Sequence, residues 1–153
     1  MVDLILFGDC KETLKQFPRN SAQMCVTSPP YYGLRDYGGE TEQIGQEDTP
    51  EQFVDNLVSV FREVRDVLKD DGTLWVNIGD SYYNYRPGTG GLPKQTVSRT
   101  SQDLPTQCNR RANKLDGLKE KDLIGIPWML AFALRADGWY LRQDIIWHKP
   151  NPM

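Results

Sequence analysis

The chain has few of the side chains on which most metal sites and nucleophilic enzyme sites depend. Its 153 residues include one histidine, His148, and three cysteines, Cys10, Cys25 and Cys108, which are odd in number and widely spaced. This spacing fits neither a disulfide framework nor a Cys-x-x-Cys zinc motif. A zinc protease of the His-Glu-x-x-His type needs two histidines, and a Ser-His-Asp triad would have to use the single one present. We therefore expect no metal site.

Long apolar runs are also missing. No window approaches the roughly 18 consecutive apolar residues that suggest a membrane span. The N-terminus lacks the basic segment and apolar stretch of a signal peptide. With 39% hydrophobic and 10% aromatic residues, the composition is that of a globular protein, and its length predicts one domain over residues 1–153. A cytoplasmic location is the expectation.

Net charge is low, but the charges are segregated. A formal charge of −3 argues against a protein that coats nucleic acid in general. Residues 36–71 carry eleven acidic and three basic side chains, whereas residues 86–121 carry eight basic and three acidic ones. The second region nearly coincides with a stretch of about 84–120 that lacks any apolar period, and we predict a long, flexible basic insert there. We expect a negatively charged polymer to bind at this insert.

Apolar runs alternate with helical patterns along the rest of the chain, which predicts an α/β fold with a mostly parallel sheet. The second predicted helix begins at Pro50 after the N-cap Thr49 and ends at Gly72. The predicted strands are residues 4–7, 22–27, 73–78 and 139–147, and the other predicted helices cover 10–17 and 127–137. We expect residues 4–27 to form a strand-helix-strand unit.

A rigid loop follows the second strand. In Ser28-Pro29-Pro30-Tyr31, the prolines fix their own φ angles and bias the preceding residues toward extended backbone. Neither proline nitrogen can donate a hydrogen bond, so the loop presents carbonyl oxygens, one hydroxyl and one aromatic ring. This combination suits an exocyclic amino group on a base that can stack. The simpler alternative is a strand end followed by a proline-rich turn.

Each predicted strand ends in polar residues: Asp9, Ser28, Asp80 and His148. Ligands of parallel sheets bind beyond the carboxyl ends of the strands. We therefore expect these residues to share one edge, with the loop at its centre.

The sequence resembles the amino-methylating DNA methyltransferases in which the catalytic half precedes the cofactor half. The resemblance covers most of the chain and rests on the order and spacing of several weak motifs. These are residues 8–9, 27–33 (Thr-Ser-Pro-Pro-Tyr-Tyr-Gly), 72–75, 126–128, 137–139 and 145–151. It implies a Rossmann-like methyltransferase fold, double-stranded DNA as the partner, and methyl transfer from S-adenosyl-L-methionine to the amino group of a flipped base.

The resemblance also implies roles for individual residues. Ser28 and the Pro29 carbonyl would accept hydrogen bonds from the amino group, with Pro30 and Tyr31 completing the catalytic loop and Tyr31 stacking on the base. Asp9 matches a position near the cofactor, although it could equally be a helix cap. The target-base pocket would include Tyr32, Trp147 and Lys149. In the basic insert, the expected phosphate contacts are Arg86, Lys94, Arg99, Arg110, Arg111 and Lys114.

Two questions stay open at this stage. Serine at position 28 favours cytosine N4 as the target, with adenine N6 as the alternative. The sequence also lacks the Phe-x-Gly-x-Gly loop by which family members grip the cofactor, and residues 88–91 are no substitute because no apolar strand precedes them. We therefore expect an incomplete fold, completed by a C-terminal half or a second subunit, with weak cofactor binding by this chain alone. A non-catalytic DNA-binding or partner-binding fragment is the other hypothesis.

Overall fold

A computed structural model describes residues 3–36, 43–83, 106–107, 115 and 117–150. Seven elements follow one another in these ranges. They are α1 (Cys10–Leu14), β1 (Ala22–Thr27), β2 (Arg35–Asp36), α2 (Pro50–Val67), β3 (Leu68–Val76), β4 (Thr106–Gln107) and α3 (Ile126–Ala136). Most of the predicted basic insert, including its six candidate phosphate ligands, lies outside the described residues.

The main sheet is a parallel pair formed by β1 and β3, with α2 in the connection between them. Val26 lies opposite Trp75, and Met24 lies opposite Thr73. A second, short pair joins β2 and β4 in antiparallel orientation. The parallel arrangement agrees with the predicted α/β class. The strand-helix-strand unit, however, is β1-α2-β3 and not the predicted unit over residues 4–27.

Helix α2 begins as its sequence predicts. Thr49 has extended backbone, and its side-chain oxygen accepts a hydrogen bond from the Gln52 amide at 3.2 Å, which satisfies one of the unpaired amides of the first turn. Pro50 occupies the first turn, where its missing N–H is not needed. The apolar side chains repeat at helical spacing and are buried: Phe53, Leu57, Phe61 and Val64.

The predicted end of this helix at Gly72 is wrong. The helix ends at Val67, because the next residue, Leu68, is extended and pairs with Ala22 at the start of β3. The register then shifts, so that Thr73 is opposite Met24, two positions further along β1. Gly72 lies within this irregularity, where a Cβ atom would stand 2.8 Å from the Lys69 carbonyl oxygen. A close backbone approach requires this glycine, not a helix cap.

Two predicted strands are also absent from the described residues. Residues 4–7 and 139–147 carry no strand assignment, and their apolar side chains are exposed, as at Phe7 (90%) and Ile146 (86%), except Trp139, which packs against the core. An apolar run becomes a strand only when a neighbouring backbone pairs with it. In the described part of the chain, β1 and β3 pair with each other and neither run has a partner.

The core lies between the helices and one face of the parallel pair. Ile126 and Leu130 of α3 are fully buried against the apolar face of α2. Leu74 and Val76 of β3 pack beneath them, together with Cys25 of β1. Partial burial raises the pKa of the Cys25 thiol, because an apolar environment disfavours the charged thiolate.

An ion-pair cluster joins the end of α3 to α2. Arg62 donates from Nε to Asp137 Oδ1 at 2.7 Å, and Arg65 donates from Nη1 to the Asp137 carbonyl at 2.6 Å. The hydrogen bond from Arg62 is the main cause of a lowered Asp137 pKa, and the charges of both arginines lower it further. None of the described helices has the length and apolar character needed to cross a membrane.

Candidate functional site

The loop at Ser28 leaves the sheet beside the end of β3. The Asn77 amide donates to the Thr27 carbonyl at 2.9 Å, so the two strands end side by side. Residues that follow β1 therefore meet residues that follow β3. This confirms the predicted common edge for Ser28 and Asp80.

Tyr31 packs directly on Gly79. A Cβ atom built on Gly79 would stand 2.9 Å from Tyr31 Cε2 and 3.3 Å from Cδ2, distances well inside ordinary carbon contact. Gly79 does not have positive φ, so the close approach of the ring is the reason for a glycine here. The segment after β3 is thus in close contact with the tyrosine ring at Gly79.

Gly45 packs closely against the same loop. A Cβ atom at Gly45 would stand 3.1 Å from the Tyr31 carbonyl oxygen and 3.3 Å from Pro30 Cβ. The Gly33 amide donates to the Gly45 carbonyl at 2.9 Å. Backbone packing on two sides adds to the stiffness of the two prolines, so the conformation of the loop is fixed in advance of any ligand.

Tyr32 anchors the loop to the core. Its ring packs against Phe53, with centroids 5.5 Å apart and a 48° tilt, and its hydroxyl donates to the Asp48 carbonyl at 3.4 Å. Its own carbonyl accepts from the Ser81 hydroxyl at 3.0 Å. Tyr31 and Tyr32 are adjacent in sequence, but Tyr32 packs against α2 while Tyr31 lies along the strand ends.

The hydroxyl of Ser28 and the carbonyl of Pro29 are the acceptors that the loop offers. Ser28 is exposed and Pro29 is half-buried. Within the described ranges, neither oxygen takes part in a hydrogen bond. The loop therefore presents two acceptors, followed within three residues by the aromatic residue Tyr31.

Asp80 has a role that the sequence did not reveal. Its carboxylate accepts from the amides of Ser81 (2.9 Å), Gly125 (3.0 Å) and Ile126 (3.0 Å). Gly125 precedes α3 with φ of 88° and no side-chain cap, so Asp80 caps this helix from the end of β3. A helix start without Ser, Thr, Asp or Asn was the available signal that a cap comes from elsewhere.

The remaining predicted site residues do not join the loop. Asp9 is exposed and caps α1, where its side chain accepts from the Lys11 amide at 2.7 Å. Trp147 is 73% exposed, and Lys149 is also exposed. In the described part of the chain, no hydrogen bond or ring contact connects either of them with Ser28 or Tyr31.

Both strand-end carboxylates cap helices in the described part of the chain. The carboxylate of Asp80 is fully engaged by backbone amides, and that of Asp9 belongs to the exposed cap of α1. Among the described residues, no three His, Cys, Asp or Glu side chains are grouped so that they could hold a metal ion. The geometry offers acceptors and an aromatic residue for a planar amino compound.

Comparisons with known proteins bear on this geometry. The family model described as DNA methylase matches residues 22–153. The chain is 51% identical to the type II methyltransferase M.Cfr9I of Citrobacter freundii over 146 residues, which are 95% of this chain and 46% of that protein. It is 52% identical to M.XycI of Xanthomonas campestris pv. cyanopsidis over 95% of this chain and 46% of that protein.

A third relative extends the same pattern. The type II methyltransferase M.SmaI of Serratia marcescens is 50% identical over 152 residues, which are 96% of this chain and 48% of that protein. The chain thus spans about half the length of the curated relatives that it matches. No solved structure matches it.

Proposed function

This chain belongs to the DNA methylase family of amino-methyltransferases, and we propose that it carries the base-binding and catalytic loop of a type II DNA methyltransferase. The observation that carries the proposal is the loop packed between Gly45 and Gly79, in which Ser28 Oγ and the Pro29 carbonyl, which accept no hydrogen bond in the described part of the chain, precede Tyr31 in the sequence. We further propose that the complete enzyme has a Rossmann-like fold and uses S-adenosyl-L-methionine.

The chemistry explains why an amino-methylating enzyme needs such acceptors. The lone pair of an exocyclic amino group is delocalised into the base, so the nitrogen is a poor nucleophile. Hydrogen bonds from its two protons to Ser28 and Pro29 favour a pyramidal nitrogen, whose lone pair then points away from the ring plane. Because prolines and glycine contacts fix these acceptors, little reorganisation is needed when the amino group arrives.

Tyr31 would stack on the target base. Inside a duplex the amino group is engaged in base pairing, so the base must leave the stack to reach Ser28. The close contact of the Tyr31 ring with Gly79 would hold the ring in position for stacking on a base. Tyr32, which packs on Phe53, would serve this pocket by anchoring the loop.

The target base is proposed from position 28. Serine there favours cytosine N4, and adenine N6 is the alternative. Trp147 and Lys149 would approach the base, and Asp9 the cofactor, only in the complete enzyme. A DNA substrate implies a cytoplasmic location in a cell without a nucleus. The type II relatives suggest that the enzyme belongs to a restriction-modification system.

The experiment replaces Ser28 with alanine in this chain, supplemented with the part of M.Cfr9I that lies outside the match. We expect the rate of methyl transfer at saturating substrate to fall roughly 100-fold, an effect typical for loss of one preorganised hydrogen-bonding group. DNA affinity should change little, because one hydroxyl contributes little to an interface dominated by phosphate contacts. Mass spectrometry of the methylated nucleoside identifies the base.

The control is Ser59→Ala. Ser59 lies on α2 and its hydroxyl donates to the Asn56 carbonyl, so it should leave turnover unchanged. Equal turnover of Ser28→Ala and the unmodified chain would disprove the role of Ser28. DNA binding without any methylation in the supplemented mixture would instead support a non-catalytic binding module.

A further inference from the structure

Glu47 connects helix α2 with a turn that packs on the loop at Ser28. Its Oε2 accepts a hydrogen bond from the Gly45 amide at 2.8 Å, and its Oε1 accepts one from Asn56 Nδ2 at 2.9 Å. Gly45 is buried and Glu47 is half-buried, whereas Asn56 is an exposed residue of α2. Both carboxylate oxygens are therefore engaged by uncharged donors, one from the turn and one from the helix.

The turn that Glu47 holds is in contact with the loop at Ser28. The carbonyl oxygen of Gly45 accepts from the Gly33 amide at 2.9 Å. A Cβ atom at Gly45 would stand 3.1 Å from the Tyr31 carbonyl oxygen and 3.3 Å from Pro30 Cβ. Because the packing is this close, a shift of Gly45 would also move the backbone of residues 30 and 31.

A carboxylate suits this position for a physical reason. Hydrogen bonds to an ionised acceptor are shorter and stronger than those between neutral groups, so Glu47 holds the Gly45 amide more firmly than a neutral acceptor would. Without the carboxylate, the amide of a buried residue loses its partner, and any rearrangement of the turn that restores one is favoured. Acidic residues in a stretch such as 36–71 are ordinarily solvated, but Glu47 has a donor for each oxygen.

We propose that Glu47 is a positioning residue for methyl transfer. It fixes the turn at Gly45 to α2 and so holds the backbone of residues 30 and 31 in the conformation that presents the acceptors of the loop. Glu47 acts through Gly45 and does not touch the base. The proposal rests on the function proposed above for the loop at Ser28, because misplacement of a reacting group by about 1 Å can slow a reaction roughly 100-fold.

The first experiment compares Glu47→Ala with the unmodified chain, each supplemented with the part of M.Cfr9I that lies outside the match. We expect the rate of methyl transfer at saturating substrate to fall roughly tenfold or more. The KM for DNA should stay the same, because phosphate contacts dominate DNA binding. Glu51→Ala is the matched control, since it removes the same charge from an exposed residue in the first turn of α2, and it should change neither quantity.

Exchanges at positions 47 and 56 test the same contact without removing a side chain. In Glu47→Gln, the amide oxygen can accept from Gly45 while its nitrogen donates to Asn56 after rotation of the asparagine amide, so turnover should be retained. Asn56→Asp sets two carboxylates against each other and should slow turnover severalfold. Adding Glu47→Gln to Asn56→Asp should restore turnover, because the new glutamine can donate to the new carboxylate.

Amide hydrogen exchange, followed by NMR, examines the turn without any turnover. The Gly33 amide donates to the Gly45 carbonyl, so in Glu47→Ala it should exchange at least fivefold faster than in the unmodified chain. Amides in the middle of α2 should exchange at an unchanged rate. Faster exchange throughout α2 would mean that Glu47 supports the fold as a whole, and would overturn the positioning role.

Two kinetic results would also overturn the proposal. One is full turnover by Glu47→Ala in an assay where Ser28→Ala is slow, which would leave the proposed function of the loop standing without a role for Glu47. The other is failure of Glu47→Gln to restore turnover in Asn56→Asp. Full turnover by both Ser28→Ala and Glu47→Ala would instead refute the proposed role of the loop, and the role of Glu47 with it.

Discussion

Replacing Gly79 with alanine tests whether the ring of Tyr31 is held by contact with the backbone after β3. The new methyl group would stand 2.9 Å from Tyr31 Cε2. Ordinary carbon contacts begin near 3.5 Å, so the ring must move by roughly 0.6 Å. Because Gly79 lacks positive φ, alanine fits the backbone and the contact with the ring accounts for the whole penalty.

The expected stability change has two opposing parts. Overpacking of this size destabilises a folded protein by about 1–3 kcal/mol. Alanine in place of glycine also restricts the unfolded chain, which stabilises by about 0.4–1 kcal/mol where the backbone conformation suits it. We therefore expect Gly79→Ala to lower the free energy of unfolding by about 1–2 kcal/mol, but to raise it slightly when Tyr31 is already alanine.

Urea denaturation of the four proteins in this double-mutant cycle measures the coupling between positions 79 and 31. Gly33→Ala is the matched control. Gly33 has φ of +64°, and a Cβ atom added there would meet no other heavy atom within 4 Å. Gly33→Ala should therefore destabilise the protein through backbone strain alone, and by the same amount with and without the Tyr31 ring. In the supplemented enzyme, a ring displaced by this much should slow methyl transfer about tenfold or more. An identical destabilisation by Gly79→Ala with and without the Tyr31 ring would refute the reasoning.

Three further outcomes are expected. Asp80→Ala leaves the first amides of α3 without their acceptor and should lower the free energy of unfolding by about 1–3 kcal/mol in urea titrations. Asp80→Asn should have an intermediate effect, because it retains one oxygen. An unchanged free energy of unfolding would show that the cap contributes nothing. Because the pKa of Asp137 is lowered, its contribution to stability is present above the ordinary value of 3.8 and is lost as pH falls through the folded pKa. The difference in melting temperature between the unmodified chain and Asp137→Asn should therefore shrink on acidification. A constant difference would contradict the ion-pair account. Joint replacement of Arg110 and Arg111 by glutamine should weaken DNA binding and reduce its salt dependence in fluorescence anisotropy titrations; an unaltered salt slope would mean that these arginines do not contact phosphate.

Local signals in the sequence located several elements correctly. The spacing of Phe53, Leu57 and Phe61 and the Thr49 cap placed α2, because helix periodicity and capping chemistry act within a few residues. The loop at Ser28 was also foreseen, since two prolines restrict the backbone wherever they occur. The common edge for Ser28 and Asp80 followed from the parallel arrangement alone.

Signals that depend on distant partners misled the prediction. Residues 4–7 and 139–147 have the composition of strands, but composition does not say which backbone will pair with them. Gly72 looked like a helix cap, yet its place is set by the register between β1 and β3. Asp80 was grouped with ligand-facing residues, whereas it caps a helix that begins 46 residues later in the chain.

The sequence by itself determined the rigid loop, its acceptors and its aromatic ring, because these depend on the covalent properties of consecutive residues. Only the tertiary structure decided that Tyr31 contacts Gly79, that Tyr32 packs against Phe53 of α2, and that Asp80 caps α3. Those contacts join residues far apart in the chain, and their existence depends on which strands pair and on which face the helices pack.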